Sequence, residues 1–303
     1  MDICRGGGKG STITHSLPGI AGGKITFWPL CLAIVLAAVF MAGGIAPARA
    51  ETEIKMTGFG GATNLPVWLA IDKGLFKKEG LTVTLDQTQG SAPQIKDTMA
   101  GKYQFITSAF DNIVAYTEGD GAAKYADFDI VAILGVHSGL NSVLARPEIK
   151  TYADIKGKTV SVDALTSGYA TVLYQILEGK GLMRDKDYKV ISVGGTGDRV
   201  NSLKDGRAAV AIISSPQDDQ LQKEGYNILG DTATEIGNYQ GSVYAVRRSW
   251  AKTHDKELMA LTRAVIAAHD YVFANKSGAI EVLKKRTKGL TDKELSELYD
   301  RLT

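Results

Sequence analysis

The sequence predicts an α/β protein of two lobes joined by two crossing segments. Three observations predict it. Short β-branched segments alternate with helical segments of about ten residues, the pattern of βαβ units with right-handed crossovers. That alternation runs twice, over roughly 51–137 and 150–234. After Trp250 the pattern becomes helical throughout. A chain that leaves one lobe, builds a second and returns must cross between them twice, so the crossings form a hinge beside a cleft.

The elements follow in order. "EIKMTGF" (53–59) reads as a strand, and "NLPVWLAIDKGLFKKEG" as a short helix stopped by glycine. "LTVTLDQT" (81–88) alternates and is β-branched, hence a strand. "SAPQIKDTMAGK" reads as a helix capped by Ser91 with Gly101 beyond its end. "YQFITSA" (103–109) is a buried strand, "FDNIVAYTEGD" a short helix, and "DIVAILGV" (129–136) an apolar strand suited to a parallel sheet covered on both faces. In the second run, "KTVSVDA" (158–164) is a strand and Ser167–Gly181 a helix whose inward stripe is Ala170, Leu173, Ile176 and Leu177. "YKVISVGG", "DRVNSLKDG", "AAVAIIS" (208–214) and "PQDDQLQKEGY" continue as strand, helix, strand and helix, the last beginning on Pro216. "GSVYAVRRSW" (241–250) is a strand, and Leu258, Leu261, Val265, Ala268 and Val272 mark one face of a long helix. The expected boundaries are 51–138 plus 236–303 for lobe 1 and 139–235 for lobe 2.

The first fifty residues differ in kind. Arg5, Lys9 and Lys24 precede the apolar run "FWPLCLAIVLAAVFMAGG" (27–44), and "APARA" (46–50) fits the small-x-small pattern of leader cleavage. We expect residues 1–50 to be a signal peptide cut after Ala50, giving an exported, periplasmic protein; an uncleaved anchor is the alternative. Cleavage removes Arg5, Lys9, Lys24, Arg49 and Asp2, leaving 253 residues and taking the formal charge from +2 to −1. Cys4 and Cys31 leave too, so no disulfide is needed. Charges are interleaved, with no basic run, which argues against nucleic acid as a partner.

In open α/β sheets ligands sit beyond the carboxyl ends of strands. Four corners qualify. Asn64 follows "GFGGATNLP" (58–66); Ser108, Phe110 and Asp111 lie in "TSAFDN" (107–112); Thr166, Ser167, Gly168 and Tyr169 open the second lobe's first helix; Ser214, Ser215 and Gln217 lie in "SSPQDD" (214–219). Helix N-termini, hydroxyls and Gly168 suit an anion or polar oxygen. Ser167 and Asp111 also suit plain capping. Phe110 could stack on a flat ligand, and the crossings bring His137, Ser138, Tyr239 and Gln240 near the cleft. Enzyme signatures are absent. Gly58-x-Gly60 has Thr63 in place of the third glycine of a dinucleotide fingerprint, and Gly157-Lys158-Thr159 has Tyr152 where a P-loop needs glycine. The histidines after the leader, His137, His254 and His269, lack metal-ligand spacing. We therefore expect no metal and no cofactor.

Three stretches carry a family resemblance. "NLPVWLAIDKGLFKKEGLTVTL" (64–85), "IKGKTVSVDALTSGYATVLYQILEGKGL" (155–182) and "GGTGDRVNSLKDGRAAVAIISSP" (194–216) resemble, in this order, the solute-binding proteins of nitrate-, sulfonate- and taurine-type ABC importers. The resemblance implies a type II periplasmic binding protein fold with two crossing strands as hinge and C-terminal helices, a small-molecule ligand, a membrane permease as partner, and contacts from the four corners. A monomer binding a small anion such as a sulfonate, carboxylate or nitrate is the expected form, with no catalysis. The alternatives are an enzyme like those making the thiamine pyrimidine, which belong to the same superfamily, and a periplasmic sensory domain. Two departures stand out: Ala209 replaces an acidic residue usual after "LKDG", and the family commonly continues past Thr303.

Overall fold

The computed structural model describes residues 51–138, 141–237 and 239–303, with Thr14 and His15. The expected leader and its apolar run lie outside the described residues, and no described helix is long and apolar enough to cross a membrane.

Two five-stranded sheets form the frame. The first comprises β1 (Thr52–Gly58), β2 (Leu81–Gln87), β3 (Phe105–Ala109), β4 (Ile130–His137) and β10 (Ser242–Arg247), in the order β2-β1-β3-β10-β4. The second comprises β5 (Asn141–Ala145), β6 (Thr159–Val162), β7 (Lys189–Ser192), β8 (Val210–Ser214) and β9 (Asn227–Asp231), in the order β7-β6-β8-β5-β9. The sheets repeat one plan. Three parallel strands come first, then one antiparallel strand, β10 or β5, then an edge strand. The antiparallel strand in each sheet is the one the chain reaches by crossing from the other. The crossings run side by side, because the His137 carbonyl accepts from Gly241 N–H at 2.9 Å and from Gln240 Nε2 at 3.0 Å.

Helices cover both faces of each sheet, as a sheet with two apolar faces requires. On the first, α1 (Leu65–Asp72), α10 (Asp255–Ala274), α11 (Lys276–Arg286) and α12 (Asp292–Leu302) enclose Met56, Phe105, Leu261, Val265 and Leu298. Helices α3 (Ser91–Met99) and α4 (Phe110–Thr117) close the other face over Ile95, Ile106 and Ile113. On the second, α5 (Gly168–Gly179) packs Ala170, Leu173, Ile176 and Leu177 inward, the stripe its spacing predicts. Helices α6 (Thr196–Lys204) and α7 (Gln217–Lys223) cover the opposite face with Leu203 and Leu221. Short helices α2 (Leu75–Lys78), α8 (Thr232–Ile236) and α9 (Arg248–Ala251) complete the chain.

Several expectations need correction. The helix after Asn64 divides in two at Gly74, whose φ of 67° favours glycine. Strand β4 is a half-buried edge strand paired antiparallel to β10, not the interior of a parallel sheet. Strand β5 lies in the stretch between the two runs, and β9 within the second run, where the sequence pattern assigns no element; both are short, and β9 carries an interior glycine. Ser91 does not cap α3. It is the first helical residue, and Gly90 holds the cap position without a side-chain acceptor.

Candidate functional site

The two halves meet at the carboxyl ends of their parallel strands. After β1, Gly58–Asn64 forms a tight loop held from within: Asn64 Nδ2 donates to the Phe59 carbonyl at 2.6 Å and the Gly61 carbonyl at 3.2 Å. The loop reaches the second half twice. Ala62 N–H donates to the Ser215 carbonyl at 3.2 Å, and the Phe59 ring tilts against Tyr169 at 5.6 Å. Phe59, Thr63, Asn64, Thr107, Tyr169 and Ser242 surround a cavity of about 10 Å³, room for one water.

Beside it, sharing Phe59 and Asn64, opens a cleft of about 420 Å³. Its walls combine the apolar Trp68, Leu85 and Pro216 with the polar Gln87, Gln217 and Gln220. Asp86 lines one side, and Arg286 and Lys288, at the end of α11, line another. Arg286 is shared with Asp72, whose carboxyl stays below its usual range although burial opposes the Lys285 and Arg286 contacts. Gln217 Oε1 is buried without a hydrogen-bond partner, as is Thr107 Oγ1 at the smaller cavity. Such orphaned acceptors and hydroxyls carry a desolvation cost that a bound polar group would relieve.

The sequence-predicted residues fall into several places. Asn64, Tyr169 and Gln217 line the cleft or its inner cavity. Asp111, Gly168 and Ser215 lie at the contact between the halves, and Ser108 is buried within the first half. Ser108 Oγ accepts from Asn112 Nδ2 at 3.2 Å; Ser215 Oγ lies 3.1 Å from Asp218 and accepts from Arg301 at 2.6 Å. Ser167 caps α5, accepting from Ala170 N–H at 3.1 Å while its hydroxyl donates to Asp163. Gly168 permits a close approach, but of protein: a Cβ there would lie 2.6 Å from Asp111 Cβ and 2.9 Å from Asn112 N. Phe110 and Thr166 are exposed, and neither lines the cleft or the inner cavity. His137 lies with His269 along a separate pocket of about 40 Å³. Tyr239 is half-buried against the second half's core, its hydroxyl without a partner.

Burial sets the electrostatics of this junction. It pushes the Asp111 carboxyl up to about 6, with no cation to oppose it. It pushes the His137 imidazole down to about 4, and His269 adds to the effect. Tyr239 is raised by burial and then by the charge of Asp111. Arg199 is wholly buried and structural: Nε donates to the Ile212 carbonyl at 2.8 Å, Nη2 to Thr196 Oγ1 at 3.1 Å, and Nη1 stands 3.8 Å from Asp163. Burial lowers its pKa while Asp163 opposes the shift. Among the described residues, no three His, Cys, Asp or Glu converge as metal ligands.

Sequence reasoning missed Phe59, Trp68, Asp86, Thr107, Arg286 and Lys288. Asp86 sits at the carboxyl end of β2, where the rule about strand ends could have found it. Arg286 and Lys288 carried no local signal; they arrive because the C-terminal helices fold back over the first sheet.

Comparison with known proteins agrees with this architecture. The alkanesulfonate-binding protein SsuA of Xanthomonas axonopodis pv. citri, solved with MOPS, superimposes with a TM-score of 0.70 at 15% identity, over 82% of this chain and 84% of that one. The periplasmic aliphatic sulphonate binding protein SsuA of Escherichia coli gives 0.63 at 18% identity, over 82% and 83%. The periplasmic nitrate-binding protein NrtA of Synechocystis PCC 6803 gives 0.72 at 14%, over 82% and 70%. These likenesses establish the periplasmic binding protein fold. No curated protein sequence matches significantly. A profile described as "NMT1/THI5 like" matches residues 62–279, which holds the whole second sheet and every strand of the first but β1. The chain belongs to the NMT1/THI5-like family.

Proposed function

We propose that the protein is the solute-binding component of an ABC-type importer, exported to the periplasm by residues 1–50 as a cleaved signal peptide. It binds a small molecule between lobe 1 (51–138 plus 236–303) and lobe 2 (139–235) and presents it to a membrane permease, breaking no bond. The observation that carries this reading is the cleft of about 420 Å³ walled by both halves, with Gln217, whose buried acceptor has no partner, Asn64 and the aromatic Phe59 and Trp68 among its lining residues. A volume of that size suits a small solute. Arg286 and Lys288 along one wall supply positive charge for a sulfonate, carboxylate or nitrate-like group, while Trp68 and Phe59 offer an apolar surface to its body. The names of the neighbouring sulfonate- and nitrate-binding proteins support that ligand class. An enzyme of the pyrimidine-synthesis type needs both a histidine and a cofactor-binding lysine in the cleft, and of these Lys288 lines it. His137 and His269 line the separate pocket instead.

Native mass spectrometry of the protein as purified, then titration calorimetry with sulfonates, carboxylates and nitrate, tests the reading. Stoichiometric binding of one of these, lost in Gln217→Ala or Lys288→Ala, supports it. Binding that ignores both substitutions, or turnover of a bound compound, refutes it. Mass analysis of the secreted chain should find Glu51 at its N-terminus.

A further inference from the structure

We propose that each half caps a helix of the other, Asp163 on α3 and Asn112 on α5, and that this reciprocal pair latches the halves together without a solute. Helix α3 begins at Ser91 behind Gly90, which has no side chain to accept from its first N–H groups. The acceptor comes from the opposite half: Ser91 N–H donates to Asp163 Oδ2 at 3.3 Å, and the pair is buried. A carboxylate at a helix N-terminus also meets the positive end of the helix dipole. Asp163, just past β6, is aimed by the Ser167 hydroxyl and by Arg199. The second cap runs the other way. Gly168 N–H, the first of α5, donates to Asn112 Oδ1 at 2.7 Å, and Asn112 is steadied by its bond to Ser108.

Neither bond survives separation of the halves. Water would then hydrate the freed N–H groups, so each cap contributes the modest increment of a helix cap rather than the full cost of a buried orphan. The consequence for binding is specific. The N-terminus of α5, which the sequence marks as a place for an anion, and that of α3 are both filled by the protein's own acceptors when the halves meet. A solute's charged group is left to the wall carrying Arg286 and Lys288.

Inter-lobe fluorescence transfer tests this on ligand-free protein, labelled at Glu118→Cys and Lys186→Cys; the chain beyond the leader contains no other cysteine. Ser91→Pro removes the donating N–H and nothing else that is bonded: Ser91 Oγ has no partner, and proline suits the first helical position. We expect a mainly closed wild type, and a closed-to-open ratio about fivefold lower in Ser91→Pro, with a similar drop in Asn112→Ala. Ser91→Ala, which keeps the N–H, should match wild type. A wild type that is open without solute, or a Ser91→Pro distribution identical to Ser91→Ala, overturns the latch. The readout needs no solute, so it fails or stands apart from the importer reading.

Discussion

Gly168→Ala should hold the two halves apart without unfolding either. The three atoms nearest a Cβ at this position are Asp111 Cβ at 2.6 Å, Asn112 N at 2.9 Å and Ala109 Cβ at 3.2 Å, and all three belong to the first half. Ordinary contact begins at 3.4 Å. The start of α5 must therefore retreat from the start of α4 by most of an ångström, which also stretches the 2.7 Å bond from Gly168 to Asn112. Overpacking of this kind costs about 1–3 kcal/mol, which lowers the closed population and solute affinity roughly 5- to 150-fold. The three nearest atoms, out to 3.2 Å, all belong to the other half, and alanine is the better helix former by up to about 1 kcal/mol. Small-angle scattering should show a larger radius of gyration, while the thermal midpoint holds or rises. A variant that closes like wild type but melts earlier would show that the second half absorbs the clash, and the argument would fail.

Other substitutions probe the junction and its supports. Asp111→Asn should raise the thermal midpoint at pH 7.5 and change it little at pH 4.5. The folded pKa of about 6 exceeds the model-compound value of 3.8, so burying the carboxylate costs stability above pH 6, and that cost vanishes as pH falls through this interval; a lower midpoint at pH 7.5 would contradict it. Arg199→Ala should destabilise by about 3–5 kcal/mol in denaturant titration, because Asp163 loses its buried counter-ion and the Ile212 carbonyl its donor. Asn64→Ala frees the Gly58–Asn64 loop from its two internal bonds and should abolish solute binding while lowering stability by about 1–3 kcal/mol. Arg301→Ala breaks the contacts of α12 with Ser215, Asp218 and Asp219, and amide exchange in α12 should accelerate while that in α5 does not.

Where a single periodicity settles an element, the sequence was sufficient. The stripe of α5 and the face of α10 from Leu261 to Val272 are buried as their spacing requires. Elements whose identity depends on partners were opaque. "NSVLA" becomes a strand because β8 and β9 flank it, and nothing within five residues declares that. The site divides the same way. Asn64 and Gln217 line the cleft, where the rule about strand ends points. At Gly168 the close approach is made by Asp111 and Asn112, since glycine reports the proximity of something and not its identity. Ser91 shows the complementary failure: a serine before a helical pattern suggests a cap, yet the cap is supplied from seventy-two residues away.

The crossing segments explain why such small contacts can govern the whole molecule. Strands β4 and β10 pair within the first sheet, and β5 and β9 within the second, so each crossing leaves one finished ladder and enters another. The crossings are tied to each other through the His137 carbonyl. A rotation about an axis through both links therefore leaves every ladder intact. The cores on either side of each sheet are largely undisturbed as well, because their buried residues belong almost wholly to one half or the other; Phe59 and Ala109, packed into the second core, are the exceptions. What changes on opening includes the two reciprocal caps, the packing of α4 on α5 around Gly168, the Phe59–Tyr169 contact, the Ala62–Ser215 bond and the contacts of α12 with α7 and Ser215. Each polar contact among them is worth about a kilocalorie per mole or less after solvation, save for those involving buried Asp218. An equilibrium set by a handful of such terms lies within reach of the free energy a small solute can supply on binding. It also lies within reach of one added methyl group, which is why Gly168 is the position to test first.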